Sequence, residues 1–329
     1  MRSKNELFTL AKRGAEHIVK KCANANANDR ILIIKDKKTS HAADLIYECA
    51  RRFSDQVHVC EMSVMANHGQ EPPKQVVQEM HKASLIIAVT KFSLAHSSAR
   101  LSAQRLGARY LSLADYSLDV LSSPSIFGVD DKEINTMSRL AGLMTAGSTM
   151  NVTSAKGTDI NLDINGRVAN NCPGIIKMPG EFGSPPDMEV NISPIESNSD
   201  GILVVDGSVT HPRVGVLSDD LFIHIENGGI ANIEGSAPIT KEIKSIFDAV
   251  CSERAFLLAE VGVGFNAKAR LCGHMLIDEG ASDCLHFGFG SNHTVGGLNE
   301  VPFHVDFVMR NGSILIDGET VIENGGVIV

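Results

Sequence analysis

The sequence lacks most of the features that would settle its class at a glance. No apolar run approaches the roughly 18 residues that a membrane-spanning helix requires. The N-terminus, Met1-Arg2-Ser3-Lys4-Asn5-Glu6, leads into an amphipathic segment and not into the apolar stretch of a secretory signal. Basic residues do not predominate: 30 Lys and Arg face 39 Asp and Glu, for a formal net charge of −9. That balance argues against a dedicated binder of nucleic acid or anionic membrane, whose affinity comes from neutralising phosphate. The seven cysteines (Cys22, Cys49, Cys60, Cys172, Cys251, Cys272 and Cys284) are odd in number, and no two stand at C-x-x-C spacing. Buried reduced thiols are therefore expected in preference to a disulfide framework or a thiolate zinc site. There is also no low-complexity linker and no internal repeat. These absences predict a cytoplasmic globular protein that partners neither nucleic acid nor membrane.

What is present suits two domains. The chain has 329 residues, and about 150 residues per domain is usual. With 43% hydrophobic and 21% charged residues it can bury a sizeable core. Residues 1–130 read as a Rossmann-like α/β domain. Helical spacing over 5–25, 41–53, 73–82 and 95–106 alternates with short apolar runs at 30–35, 56–60, 85–89 and 108–113, the pattern of a parallel sheet flanked by helices. Yet Lys35-Asp36-Lys37-Lys38-Thr39-Ser40 contains no glycine where a phosphate-binding loop would follow the first strand, so no nucleotide site is expected. Residues 131–329 read as a mostly-β α+β domain with helices at 132–144 and 239–251. Hairpin signals stand at Asn165-Gly166, Asp206-Gly207, Asn227-Gly228-Gly229, Asn311-Gly312 and Asp317-Gly318.

The chemistry concentrates near the C-terminus. In Val301-Pro302-Phe303-His304-Val305-Asp306-Phe307, strand alternation puts His304 and Asp306 on one face and the apolar residues on the other. Such a pair is either a solvent-facing strand edge or a buried set that must be paired or bind a cation. Glu260 interrupts Phe256-Leu257-Leu258-Ala259-Glu260-Val261-Gly262, and His286 interrupts Cys284-Leu285-His286-Phe287-Gly288. A lone polar residue of this kind is usually a satisfied core or edge position. Three apolar strands within fifty residues, each offering an imidazole or carboxylate, make the oxygen and nitrogen ligand set of Zn²⁺, Co²⁺, Mn²⁺ or Fe²⁺.

The order of these pieces resembles the aminopeptidase T family of metallo-aminopeptidases. The matching stretches are Gly157-Thr158-Asp159-Ile160, Ser184-Pro185-Pro186-Asp187-Met188-Glu189-Val190, Glu260-Val261-Gly262-Val263-Gly264, His286-Phe287-Gly288 and His304-Val305-Asp306. His96-Ser97-Ser98-Ala99-Arg100 adds an N-terminal match. The resemblance implies a divalent metal site of one or two ions held by Glu189, Glu260, His286, His304 and Asp306, with Glu189 able to bridge and Glu189 and Glu260 as the catalytic carboxylates. It implies a metal-dependent hydrolase, cleaving an N-terminal residue or small amide with metal-activated water, and a homo-oligomer. His293 stands where the family's aminopeptidases carry a tyrosine. His293, Arg213, His96 and Arg100 are the expected contacts to a small-molecule or peptide substrate. Glu279 and Glu181 are candidate proton shuttles, although a solvated surface position is the simpler reading of each. The segment from Ser291 to Gly297, with Pro302–Asp306, is also similar to 2,5-dihydroxypyridine 5,6-dioxygenase, an Fe(II) ring-cleaving enzyme. His304 and Asp306 match two of that family's ligands, but its other ligand His falls at Glu260. The dioxygenase is thus the alternative function.

Overall fold

The computed structural model describes residues 3–66 and 68–329. Contacts divide it into two units, Met1–Asp130 with Cys172–Pro186, and Asp131–Asn171 with Asp187–Val329. The helices are α1 (Lys4–His17), α2 (Ser40–Ala50), α3 (Lys74–Met80), α4 (Ser98–Arg105), α5 (Leu118–Leu121), α6 (Ile134–Ala146), α7 (Ala237–Asp248) and α8 (Met275–Asp278). None of the described helices is long and apolar enough to cross a membrane.

In the first unit the apolar runs become β1 (Ile31–Lys35), β2 (Val57–Glu61), β3 (Leu85–Val89) and β4 (Arg109–Ser112). β3 and β4 are buried along their whole length and β1 almost so, as strands covered on both faces must be. They pair in parallel in the order β2-β1-β3-β4, and a two-residue strand, Phe182–Gly183, extends the sheet beside β4. The α/β reading of this half therefore holds. The sequence expectation keeps 131–329 unbroken, whereas residues 172–186 return to this unit; two residues of strand carry no periodicity to read.

The sheet reverses its order between β1 and β3, where open α/β sheets bind ligands. Here a buried carboxylate ties together the loops that follow β1 and β3. Asp36, 1% exposed, accepts from the Lys38 N–H at 2.8 Å and from the Lys91 N–H at 2.7 Å.

The second unit is built on two largely antiparallel sheets. Its strands are β5 (Thr149–Thr153), β6 (Asp159–Asp163) and β7 (Asn170–Cys172); Phe182–Gly183 of the first unit is β8. There follow β9 (Glu189–Ile192), β10 (Ser199–Val205), β11 (Ser208–Val209), β12 (Gly215–Val216), β13 (Leu221–Glu226) and β14 (Gly229–Glu234). The last are β15 (Leu258–Gly264), β16 (Cys284–Gly290), β17 (His304–Arg310), β18 (Ser313–Ile316), β19 (Glu319–Glu323) and β20 (Gly326–Val327). One sheet runs β14-β13-β10-β6-β5-β18-β19-β20 and the other β12-β11-β17-β16-β15-β9-β7.

Two of the turn signals close hairpins: Asn227-Gly228 joins β13 to β14, and Asp317-Gly318 joins β18 to β19. Asp206-Gly207 and Asn311-Gly312 instead carry the chain from one sheet to the other, and Asn165-Gly166 leads out of β6 into an unpaired stretch. The dipeptide supplies a left-handed residue at Asn311 (φ 53°) and at Gly166 (φ 73°), though not at Asp206-Gly207. It does not set which sheet the next strand joins. All seven cysteines are free, but only Cys22, Cys49 and Cys284 are buried; Cys60 and Cys172 are half-buried and Cys251 and Cys272 exposed.

Candidate metal centre

Four neighbouring strands of the seven-stranded sheet bring five side chains to one point. Glu189 comes from β9, Glu260 from β15, His286 from β16, and His304 with Asp306 from β17. Two overlapping groups, Glu189–Glu260–His286 and Glu260–His304–Asp306, each bring their ligand atoms within 4.8 Å of one another. His304 Nε2 is 3.1 Å from Asp306 Oδ1 and 3.5 Å from Glu260 Oε2, and His286 Nε2 is 2.9 Å from Glu189 Oε2. The His304–Asp306 pair is enclosed, with Asp306 3% exposed, so it is not a solvent-facing strand edge. The carboxylate common to both groups is Glu260, not Glu189, because β15 lies between β9 and β16 in the sheet.

Neighbouring side chains aim these groups. Asn191 Nδ2 donates to Glu189 Oε1 at 2.8 Å and itself accepts from Asn170 Nδ2. Thr210 Oγ1 accepts from the Asp306 N–H and donates to Asp306 Oδ2. His304 Nδ1 faces the Ser291 carbonyl at 2.9 Å. Donation from Nδ1 leaves the Nε2 lone pair directed at the cluster, the arrangement that suits a metal ligand.

Charge in so enclosed a place is redistributed. Burial, with Glu189 alongside, raises the pKa of Glu260 to about 8. Burial works against the imidazolium of His286 and of His304. The carboxylates around them prevail, and raise the two pKa values to about 10 and about 9. Burial also opposes ionisation of Asp306, yet His304 and His286 hold it well below the carboxylate range.

The donor set fits a divalent cation. His286 Nδ1 is buried without a hydrogen-bond partner, and Glu189 Oε2 is buried with only the 2.9 Å ion-pair contact to His286 Nε2. Three carboxylates and two imidazoles gathered in this way are the oxygen and nitrogen donors that a divalent cation takes once they give up their protons.

The remaining expected site residues are placed as follows. His293 is exposed, and its Nδ1 is 2.8 Å from Ser291 Oγ, one residue chain link from the carbonyl that holds His304. Arg213 is engaged by Glu242 of α7 at 2.9 Å. Arg100 and His96 lie in the first unit. The Arg100 guanidinium donates to the Ala95 carbonyl and to Gln104 and covers the Phe182 ring, while His96 is half-buried just before α4. Glu181 accepts from the Lys177 and Met178 N–H groups of its own turn. Glu279 is no surface residue: it is buried, shares a hydrogen bond with Asp306, and burial with Asp306 and Asp187 nearby pushes its pKa well above the usual range. The sequence does not mark Asn191, Thr210 or the Ser291 carbonyl as site groups, since an amide, a hydroxyl or a backbone carbonyl acquires meaning only from the side chain that the fold sets beside it.

Known proteins share this fold. The 2,5-dihydroxypyridine dioxygenase of Pseudomonas putida KT2440 superposes with a TM-score of 0.83 at 20% identity, over 100% of this chain and 99% of that one. AmpT from Thermus thermophilus superposes with a TM-score of 0.70 at 14% identity, over 98% and 99%. Both likenesses therefore bear on the fold, and both resemblances seen in the sequence are found. In sequence, the 2,5-dihydroxypyridine 5,6-dioxygenase of Pseudomonas putida is 24% identical over 198 residues, an alignment spanning 56% of this chain and 56% of that relative. The family model of 2,5-dihydroxypyridine 5,6-dioxygenase matches residues 42–329, which include the β9, β15, β16 and β17 positions described above. On that match the chain belongs to the 2,5-dihydroxypyridine 5,6-dioxygenase family.

Proposed function

We propose that this chain is a metal-dependent hydrolase that cleaves the amide or peptide bond of an N-terminal residue or small amide. The observation that carries the proposal is the pair of ligand groups sharing Glu260. With metal bound, three carboxylates and two neutral imidazoles would together carry −3; one divalent ion would leave that buried centre negative, whereas two would bring it to a net positive charge, which would favour hydroxide and the oxyanion developing on the scissile carbonyl. A divalent cation held there supplies hydroxide at neutral pH and polarises a scissile carbonyl. The chain's own residues do the rest. Asn191 and Thr210 fix the carboxylates of Glu189 and Asp306, and the Ser291 carbonyl fixes the tautomer of His304. Glu279 holds its proton against Asp306. Glu189 and Glu260 are the catalytic carboxylates of this reading, and His293 on the adjoining loop is its substrate contact.

A second reading rests on the family match over residues 42–329. His286, His304 and Asp306 supply two imidazoles and a carboxylate, the set used by non-haem Fe(II) oxygenases, and the reaction is then ring cleavage of a dihydroxylated aromatic. In that reading Glu189 and Glu260 are left without an ion to hold, which is why it ranks second. Metal-free protein reloaded with Zn²⁺, Co²⁺ or Mn²⁺ and assayed on aminoacyl amides without oxygen decides between them. Hydrolysis under those conditions supports the hydrolase. No hydrolysis, with oxygen uptake on 2,5-dihydroxypyridine only in the Fe²⁺-loaded protein, overturns it.

A further inference from the structure

Strand register sets a glycine directly across the ladder from every one of the five cluster side chains. Gly264 faces Glu189, Gly262 faces His286, Gly290 faces His304, and Gly288 faces both Glu260 and Asp306. Directly opposed residues on an antiparallel face have Cβ atoms about 4.5–5.5 Å apart, so a glycine opens a gap into which the residue opposite can lean.

At two of the four glycines the cluster itself occupies that gap. A Cβ on Gly262 would lie 2.1 Å from both Cε1 and Nε2 of His286. A Cβ on Gly288 would lie 2.7 Å from Cε1 and Nε2 of His304 and 2.8 Å from Asp306 Oδ1. The other two glycines serve loops: a Cβ on Gly264 would strike the Ala281 carbonyl oxygen at 2.1 Å, and one on Gly290 that of Phe303 at 2.4 Å. Neither Gly262 nor Gly288 has a positive φ, so the backbone does not require glycine at either. Glycine also weakens a strand interior. What these positions require is room for an imidazole lying flat on the sheet.

We propose that Gly262 and Gly288 are positioning residues that set the two halves of the centre separately. Gly262 seats His286 and so completes the group with Glu189. Gly288 seats His304 and Asp306 and so completes the other. The inference rests on the reading of the cluster as a metal site. A methyl at 262 then removes one ion and leaves the second, and a methyl at 288 does the converse.

Calorimetric titration of metal-free protein with Zn²⁺ tests this. The expected result is two ions per chain for the wild type and one for each of Gly262→Ala and Gly288→Ala. In a His286→Ala background, which is itself expected to bind one ion, adding Gly262→Ala is expected to cost no further metal and not to lower Tm, because the side chain it would displace is gone. Retention of two ions by Gly262→Ala, or a further loss of metal or Tm in the His286→Ala background, overturns the proposal. Should the wild type take up no metal, the metal-site reading fails by itself. The seating role is then judged on crystal structures of the metal-free variants, where a displaced His286 ring in Gly262→Ala upholds it and an unmoved ring refutes it.

Discussion

At the scale of residues, the centre without metal is held together by protons. With pKa values of about 8, 10 and 9, Glu260, His286 and His304 are all largely protonated at pH 7, and the Asp306 carboxylate, held well below the usual range, stays ionised beside the two imidazolium charges. Each of the three pKa values is raised above its unfolded value. The native state therefore binds more protons than the unfolded chain, and stability falls as pH rises. For Glu260 the loss begins near its ordinary value of 4.5 and ends near 8; for the histidines it runs from 6.5 to between 9 and 10. Asp306 has the opposite sign and acts only in acid, below 3.8. Metal-free protein should thus lose stability from about pH 5 to pH 10, each group contributing up to about 1.4 kcal/mol per pH unit. Loading the site must displace the same protons, up to three per chain at pH 7. Calorimetry in two buffers of different ionisation enthalpy measures that release, and metal uptake without proton release would show that the imidazoles are not ligands.

At the scale of elements, the strands were legible and their neighbours were not. β1, β3 and β4 are unmistakable as apolar runs, and the same-face relation of His304 and Asp306 follows from strand alternation alone. Glu260 and His286 stood out because a single polar residue interrupts an apolar ladder. Glu189 did not: Glu189-Val190-Asn191-Ile192 is an ordinary alternating strand, and only the family resemblance singled it out. Register explains the rest of the gap. That Glu260 is shared and that a glycine faces each ligand are cross-strand facts, and that Glu279 reaches Asp306 is a contact from the end of α8 to β17; periodicity within one strand carries none of them. The loop between β16 and β17 shows how much such contacts hold. Glu196 Oε1 accepts from Asn292 Nδ2 at 3.0 Å and from the Leu298 N–H at 2.6 Å, while its Oε2 accepts from Arg167, whose other nitrogen holds the Gly296 carbonyl. Glu196→Ala strips an acceptor from three donors and leaves the buried Arg167 without its carboxylate partner. The expected cost is about 1.5–3 kcal/mol, with faster amide exchange over 292–299 and weaker metal binding through the Ser291–His304 contact. Denaturant unfolding and peptide-resolved exchange check both, and unchanged exchange in that loop would show that the clamp is redundant.

At the scale of the molecule, the two units carry different burdens. The first stabilises itself by apolar burial around its parallel sheet, with the buried Asp36 tying the loops after β1 and β3. The second encloses three carboxylates and two imidazoles among strands that are otherwise apolar, an arrangement that is expensive unless something compensates the charge. Ions that bind only the folded state stabilise it in proportion to the logarithm of their excess over Kd, about 4 kcal/mol at a thousandfold excess. That stabilisation acts on the residues that fold to make the site. Removing metal with a chelator should therefore speed amide exchange in β9, β15, β16 and β17 and lower the unfolding temperature of the unit they belong to. Exchange in β1, β3 and β4 should change far less, because no ligand comes from them. Peptide-resolved hydrogen exchange, with and without chelator at constant pH, measures both sets of strands in one sample. If the parallel sheet loosened as much as the site strands, the two units would be unfolding as one body and metal would be stabilising the whole chain; if neither changed, the five side chains would be balanced by protons alone, and the centre would have no need of an ion to fold around.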